Sequence, residues 1–393
     1  MDILQLLLTI ISTLILIIVL VTVHEFGHFI AAKLFGVEVK EFAIGFGKRI
    51  FQRNYKGTLY AIRMIPLGGF VEIEGEIKSA SPNSFRNRPA YQKCIILAAG
   101  VVMNILLSLV LLTIFLYSNN FQFTSPALTD YTFNNTDIQV KAYPLLITSV
   151  DPEGNSAGQL VENETIIGVE GVRFSSYPEF QSIIKEKQGE VVTFEFFDFD
   201  TFDVVTRDIQ LGFEDEKGAI LNVTLNQVNQ VAANVSYPAY YLKYPQNLSA
   251  GVSLTTDLVL YVPKAVFSLI GNAFQTGDFN ELGNSLGGPL QIANQSNEII
   301  QLGLIEAFIP LAGLLSISLA VFNILPFPAL DGGQIAVVLV ETAIRRKVPD
   351  SILEKINLFG FLFLMGLFVL VTFKDIIQLN IINRLADFVR NIF

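Results

Sequence analysis

The chain has one cysteine, Cys94, and two histidines, His24 and His28, in 393 residues. A lone thiol excludes an internal disulfide, and with it a small stapled secreted fold. It equally excludes a zinc site made of four cysteines or of paired cysteines and histidines. Any bound metal must use histidine and carboxylate. Charge is scarce too: 16% of residues are charged and 51% hydrophobic, and the mean hydropathy is positive, which is the composition of a membrane protein. Internal repeats and low-complexity tracts are absent.

Four stretches carry no charged residue and approach or exceed the roughly 20 residues a helix needs to cross a hydrocarbon core. They are Ile3 to Val23, Cys94 to Tyr117, Ala307 to Leu330 and Ile356 to Phe373. The first is N-terminal, yet it lacks a basic n-region, exceeds the ~7–15 apolar residues of a signal peptide and is followed by no small-residue cleavage site. It is expected to persist as a helix. Residues 253–274 are mixed apolar and helical, with Asp257, Lys264 and a kinking Pro263. They suit either a fifth span or an amphipathic surface helix, and the interrupting charges favour the second.

Charge orients these spans. Residues 36–93 hold ten Lys/Arg and five Asp/Glu, whereas 118–306 hold eight and twenty-three. Arg86, Arg88 and Lys93 before the second span, and Arg345 to Lys347 between the third and fourth, place those loops in the cytoplasm by the positive-inside rule. Both termini and the acidic segment then lie outside the cytoplasm. That acidity argues against a nucleic-acid partner.

Between the spans, 37–93 contains three β-rich runs, Phe42 to Gly47, Thr58 to Met64 and Phe70 to Glu74, expected to form a small sheet at the membrane whose edge could receive a peptide strand. Residues 146–212 read as a separate soluble α/β module with a helix at 177–186. Residues 118–145 read as a linker, 213–306 as a segment with amphipathic helices, 331–355 as a cytoplasmic loop and 374–393 as an interfacial tail helix.

The chemistry centres on His24-Glu25-Phe26-Gly27-His28, which fits H-E-x-x-H. Histidines at i and i+4 share one helix face and can bind one Zn²⁺, while the intervening glutamate can activate water. A five-residue match is weak alone. Here it continues a 21-residue uncharged run, where ionisable groups are costly and usually functional. A catalytic zinc takes three protein ligands, so the third must be a carboxylate. Asp331 follows the third run, in Asn323-Ile-Leu-Pro-Phe-Pro-Ala-Leu-Asp-Gly-Gly333. A turn aspartate before Gly-Gly is common. However, Pro326 and Pro328 break backbone hydrogen bonds that a membrane helix can spare only beside a cavity or a protein partner. The broken stretch therefore suggests a polar cleft in which Asn323, with donor and acceptor, could hold an unwound substrate.

These residues resemble the site-2 protease family of intramembrane zinc metalloproteases, in its bacterial regulator-of-sigma-E (RseP-like) branch. The matching pieces run in order: H-E-x-x-H, Gly45-Phe-Gly47, Pro66-Leu-Gly-Gly-Phe70, Ser84-Phe-Arg-Asn-Arg-Pro89, Leu97-Ala-Ala-Gly100 with Asn104, Gly287-Gly-Pro-Leu-Gln-Ile-Ala293, and 323–333. The resemblance implies that the segments holding Gly45, Gly47, Gly68 and Gly69 are a membrane-reentrant β-loop and an edge strand that engage substrate. It implies a single PDZ-like domain at 146–212, acting as a size filter, and transmembrane substrates such as anti-sigma factors in a bacterial inner membrane. Three departures stand out: Glu162-Asn-Glu164 where Gly-Asp is usual, Gln334 for the histidine that often follows Asp-Gly-Gly, and Val101 for a usual proline.

The expected fold is membrane α-helical, with four transmembrane helices, a small membrane-associated β-sheet and one extracytoplasmic α/β PDZ-like domain. The expected activity is peptide hydrolysis within the bilayer, using Zn²⁺ on His24, His28 and Asp331 with Glu25 as base, in contact with lipid. Oligomeric state is not set by these features. A transporter also places His, Glu and Asp in a membrane, but it would bring inverted repeats or several broken helices. An inactive zinc-binding scaffold would have no use for Glu25.

Overall fold

The computed structural model describes residues 3–75, 83–153, 157–199, 201–213, 221, 223–227, 238–285 and 287–379. Elements follow in chain order: α1 (Ile3–Leu34), β1 (Val39–Tyr55), β2 (Thr58–Ile73), α2 (Ala90–Ser118), β3 (Gln122–Pro126), β4 (Ile138–Ala142), β5 (Leu145–Val150), β6 (Thr165–Val169), α3 (Tyr177–Glu186), β7 (Val191–Phe197) and β8 (Val204–Gln210). Then come β9 (Val223–Gln227), β10 (Ala239–Lys243), α4 (Ser249–Thr276), α5 (Asn280–Ser285), α6 (Pro289–Leu302), α7 (Phe308–Ile324), α8 (Asp331–Ile344) and α9 (Asp350–Gln378). They form two compact units, one from Met1–Ile114, Leu258–Pro263 and Thr276–Phe393, the other from Phe115–Asp257 and Lys264–Gln275.

Among the described residues five helices are long and apolar enough to cross a bilayer. Three contain the first, second and fourth expected runs, one covers the third run only as far as Ile324, and the fifth is α4, which continues through Pro263. In the first unit α1 is 32 residues long, about 48 Å at 1.5 Å per residue. Its buried stripe, Thr9, Thr13, Leu16, Leu20, His24, His28, Ala31 and Ala32, steps mostly by three and four, as one helix face requires. The helix stops where Gly36 turns left-handed (φ 67°) and the Val37 N–H reaches back to the Ala32 carbonyl, a Schellman closure.

The three β-rich runs of 37–93 fold as one long hairpin. Residues 41–44 pair with 69–72 on one side and with 59–62 on the other. Glu41, 2% exposed, fixes its base. Its carboxylate accepts from Arg49 Nη2 at 2.6 Å and from Arg63 Nη2 and Nε at 2.7 and 3.0 Å. Arg63 Nη1 also donates to the Gly47 carbonyl at 2.7 Å. One guanidinium thus joins the hairpin stem to the Gly45–Gly47 bend.

The third span differs from the uncharged run. Helix α7 ends at Ile324, and Leu325–Leu330 form an irregular stretch containing both prolines. The expected loop at 331–355 instead opens with α8, whose first residue is Asp331. Cβ atoms at Gly332 and Gly333 would lie 2.2 Å from the Ile324 carbonyl oxygen and 2.1 Å from that of Phe327. The Gly-Gly pair therefore lets the irregular stretch fold directly over the start of α8.

In the second unit β5–β9 form an antiparallel sheet in the order β8-β7-β6-β5-β9, so the module extends past residue 212 to include β9. Helix α3 starts on a reciprocal cap: Ser176 Oγ accepts from the Glu179 N–H, and Glu179 accepts from Ser175. The core contains Ile147, Ile166, Phe174, Phe180, Phe194 and Ile209. The expected linker 118–145 holds β3 and β4, which flank β10 in a second sheet. Asn163 takes a left-handed φ of 72°, a conformation asparagine tolerates better than most residues. Glu164 accepts from Arg207 at 2.6 Å. These contacts accommodate the Glu162-Asn-Glu164 departure. Most of the tail at 374–393 lies outside the described residues, and α9 runs on through Asp375 to Gln378.

Candidate metal centre

Helices α1 and α2 approach closely at the H-E-x-x-H turn because glycines face each other's helix. A Cβ on Gly27 would stand 2.3 Å from the Ala99 carbonyl oxygen, and one on Gly100 would stand 2.4 Å from His28 Nε2 and 2.8 Å from His24 Nε2. Both imidazoles sit in the space so freed, each 6% exposed.

Asp331 arrives from α8, where a carboxylate in the first turn is favoured by the helix dipole. Ala329 just before it holds a strained left-handed φ of 71°, of the kind that clusters at functional sites. Asp331 Oδ2 lies 3.0 Å from His24 Nε2 and 3.3 Å from His28 Nε2, and the two Nε2 atoms are 3.2 Å apart. Three donors about 2.0–2.1 Å from one tetrahedral ion stand roughly 3.3 Å from one another. The triangle fits a single zinc. It is also a costly arrangement of buried polar groups without a cation.

The far side of each ring is tied down. His28 Nδ1 donates to the Ile96 carbonyl at 2.8 Å, which leaves Nε2 as the lone-pair nitrogen. His24 Nδ1 lies 3.2 Å from the side-chain amide of Asn104, a fully buried residue. A metal on Nε2 requires Nδ1 to carry the proton, so the amide oxygen takes the facing position. The other amide atom has no partner among the described residues, so that half-turn breaks no existing bond.

Glu25 sits one residue on from His24, roughly 100° around α1. Its Oε2 accepts the Val71 N–H at 3.0 Å. That bond brings the outer edge of β2 to the metal triad. Gly68 and Gly69 belong to this edge, and a Cβ at Gly68 would meet Val21 of α1 at 3.5 Å. Gly45 and Gly47 hold positive φ of 86° and 82° at the bend of β1. Asn323 is half-buried in the last turn of α7, Pro326 is exposed, and Pro328 packs its carbonyl against Gly360 of α9. No hydrogen bond of Asn323 to the triad is present.

Asn104, Gly100, Ile96 and the Val71 N–H are the parts of this centre that reading the sequence did not assign. Gly100 and Asn104 are four residues apart, on one face of an uncharged helix. That spacing, with an amide in an apolar run, was the available signal.

The family model for peptidase family M50 matches residues 12–367. A provisionally named zinc metalloprotease of Clostridium perfringens is 32% identical over 363 residues, spanning 91% of this chain and 95% of that protein. The chloroplastic membrane metalloprotease ARASP of Arabidopsis thaliana is 28% identical, spanning 93% of this chain and 78% of its own. The crystal structure of the PDZ domain of an SdrC-like protein from Listeria monocytogenes covers 22% of this chain and 93% of that domain, at 26% identity and a TM-score of 0.20. With the family match running over most of its length, this chain belongs to peptidase family M50 and is a multi-pass membrane protein of the site-2 protease type, an intramembrane zinc metalloprotease.

Proposed function

We propose that the chain hydrolyses transmembrane segments of other membrane proteins at a zinc ion held by His24, His28 and Asp331, with Glu25 as the general base. The observation that carries this reading is the convergence of two Nε2 atoms and one Oδ2 within 3.0–3.3 Å. When bound there, zinc supplies Lewis-acid chemistry to the peptide carbonyl and to water. Glu25 takes a proton from the attacking water and delivers it to the leaving amide nitrogen. Val71 aims the Glu25 carboxylate, while Asn104 and Ile96 keep both rings in the binding tautomer.

A helical substrate hides its backbone, so it must unwind before it is cut. The edge of β2 offers a place for the unwound chain. Since the Val71 N–H faces α1, backbone alternation turns the N–H and C=O of Gly69 the same way. A strand added there would pass beside Glu25. Gly45, Gly47, Gly68 and Gly69 shape that edge and its loop, and Asn323, Pro326 and Pro328 supply the opposite wall.

The four uncharged runs are assigned as the spans, with α4 at the membrane surface. Asp257 in that helix is fully buried and accepts hydrogen bonds from Asn134 and Tyr131, so its carboxylate meets protein rather than lipid. Both termini and the β5–β9 module, read as a PDZ-like size filter, then lie outside the cytoplasm of a bacterial inner membrane, and substrates are single-pass proteins such as anti-sigma factors. The ligand assignment is tested by elemental analysis of purified protein. Wild type should carry one zinc and Asp331→Ala little or none; full zinc in Asp331→Ala would refute it.

A further inference from the structure

Away from the metal centre, a cavity of about 120 Å³ is lined in part by Arg86, Lys93, Gln334, Glu341 and Asn357. A water occupies roughly 30 Å³ of liquid, so there is room for a small polyatomic group. Most of the charge at its wall is already matched. Arg86 Nη2 donates to the Val348 carbonyl at 2.7 Å and pairs with Asp350 at 2.8 Å. Glu341 Oε1 accepts the Val348 N–H at 2.8 Å.

Lys93 is the exception. It is 7% exposed, and its closest ionic partner is Glu341 Oε2 at 3.9 Å, beyond hydrogen-bonding distance. Its ammonium makes no hydrogen bond to any described residue. A largely buried lysine whose ammonium has three donors and no protein acceptor is costly unless water or another group fills the space in front of it. The residues lining the cavity include two cations, Arg86 and Lys93, and one carboxylate, Glu341, so the wall itself carries more positive than negative charge. Gln334 and Asn357 add amide donors.

Lys93 immediately precedes the uncharged run that begins at Cys94, and Asn357 is the second residue of the run that begins at Ile356. The cavity thus opens where two apolar helices meet the polar membrane boundary, the depth of lipid headgroups. We propose that it is a phosphate-binding site. Lys93 and the two amides hold the phosphate oxygens, Arg86 contributes charge, and the phosphate belongs to an anionic phospholipid or to the free ion. Gln334 lies three residues beyond Asp331 on α8, so an occupant bears on the helix that carries the proposed metal ligand.

The test uses the purified full chain in two arms. In one, protein is equilibrated with vesicles of phosphatidylcholine containing phosphatidylglycerol, and retained lipid is counted by native mass spectrometry. In the other, inorganic phosphate is titrated against protein in phosphatidylcholine alone, and thermal unfolding is followed. Saturable binding is expected in at least one arm, weakened about tenfold in Lys93→Gln, the scale of a lost charged hydrogen bond, and restored in Lys93→Arg. Retained phosphatidylglycerol identifies a lipid source, and a shift with inorganic phosphate the free ion. Absence of binding in both arms, or equal binding by Lys93→Gln, overturns the proposal. If Lys93→Gln fails to fold, judged by zinc content, Gln334→Leu and Asn357→Leu are measured instead; unchanged binding in both overturns it equally.

Discussion

His24 and Asn104, 80 residues apart in sequence, meet at 3.2 Å inside the helix packing, Nδ1 against amide. Asn104 touches no ligand atom of the triad, yet it sets which nitrogen of His24 is free to bind. Asn104→Leu should weaken zinc retention about 10–100-fold, the usual cost of losing such a supporting partner. Competition with a chelator measures this directly. Retention equal to wild type would show that the amide does not orient the ring.

Gly100 makes a sharper steric case. An alanine methyl there would overlap both imidazoles, although Gly→Ala within a helix otherwise gains about 1 kcal/mol. Gly100→Ala should therefore lose zinc and proteolysis while the helix itself is no less stable. Gly366→Ala, with nothing within 4 Å of the new methyl, serves as the control and should behave as wild type.

The Glu41 clasp predicts a pH response of the hairpin. Burial pushes its carboxyl up, but the hydrogen bonds and charges of Arg49 and Arg63 outweigh this and hold it below the usual carboxylate range. A depressed value means that the stabilisation is present above the ordinary range and lost as pH falls through the lower, folded value. Proteolytic protection of residues 45–57 should thus persist through mild acid and fail only in stronger acid. Glu41→Gln should remove it at neutral pH, at a cost of about 1.5–3 kcal/mol.

Asp375, fully buried in α9, accepts the Gln291 N–H at 3.1 Å and so caps the first turn of α6 from another helix. A Cβ at Gly288 would stand 2.5 Å from its carboxylate, which explains the glycine at the N-cap of α6. Asp375→Ala should lower the thermal midpoint by the equivalent of about 1 kcal/mol, the scale of a lost cap. An unchanged midpoint would mean that the contact contributes little.

The sequence was readable wherever one residue type had few explanations. Two histidines on one helix face, in a chain with one cysteine, left carboxylate as the third ligand. Pro326 and Pro328 marked where α7 had to stop. What stayed hidden depended on distance. Strand β10 pairs with β3 and β4, about 100 residues earlier, and no local pattern announces such a register. Helix α8 was hidden because Gly332 and Gly333 are poor helix formers, and packing against the irregular stretch, rather than propensity, requires them. The hairpin was legible as strands, but not the bond from Val71 to Glu25, because a backbone donor leaves no mark in the sequence.

The most direct test is Glu25→Gln, assayed for zinc and for cleavage of a transmembrane substrate in the same preparation. Glu25 is assigned to proton transfer and the metal to its neighbours, so the variant should carry as much zinc as wild type while cleavage falls by about 10²–10⁴-fold. Cleavage at the wild-type rate with zinc in place would contradict the account.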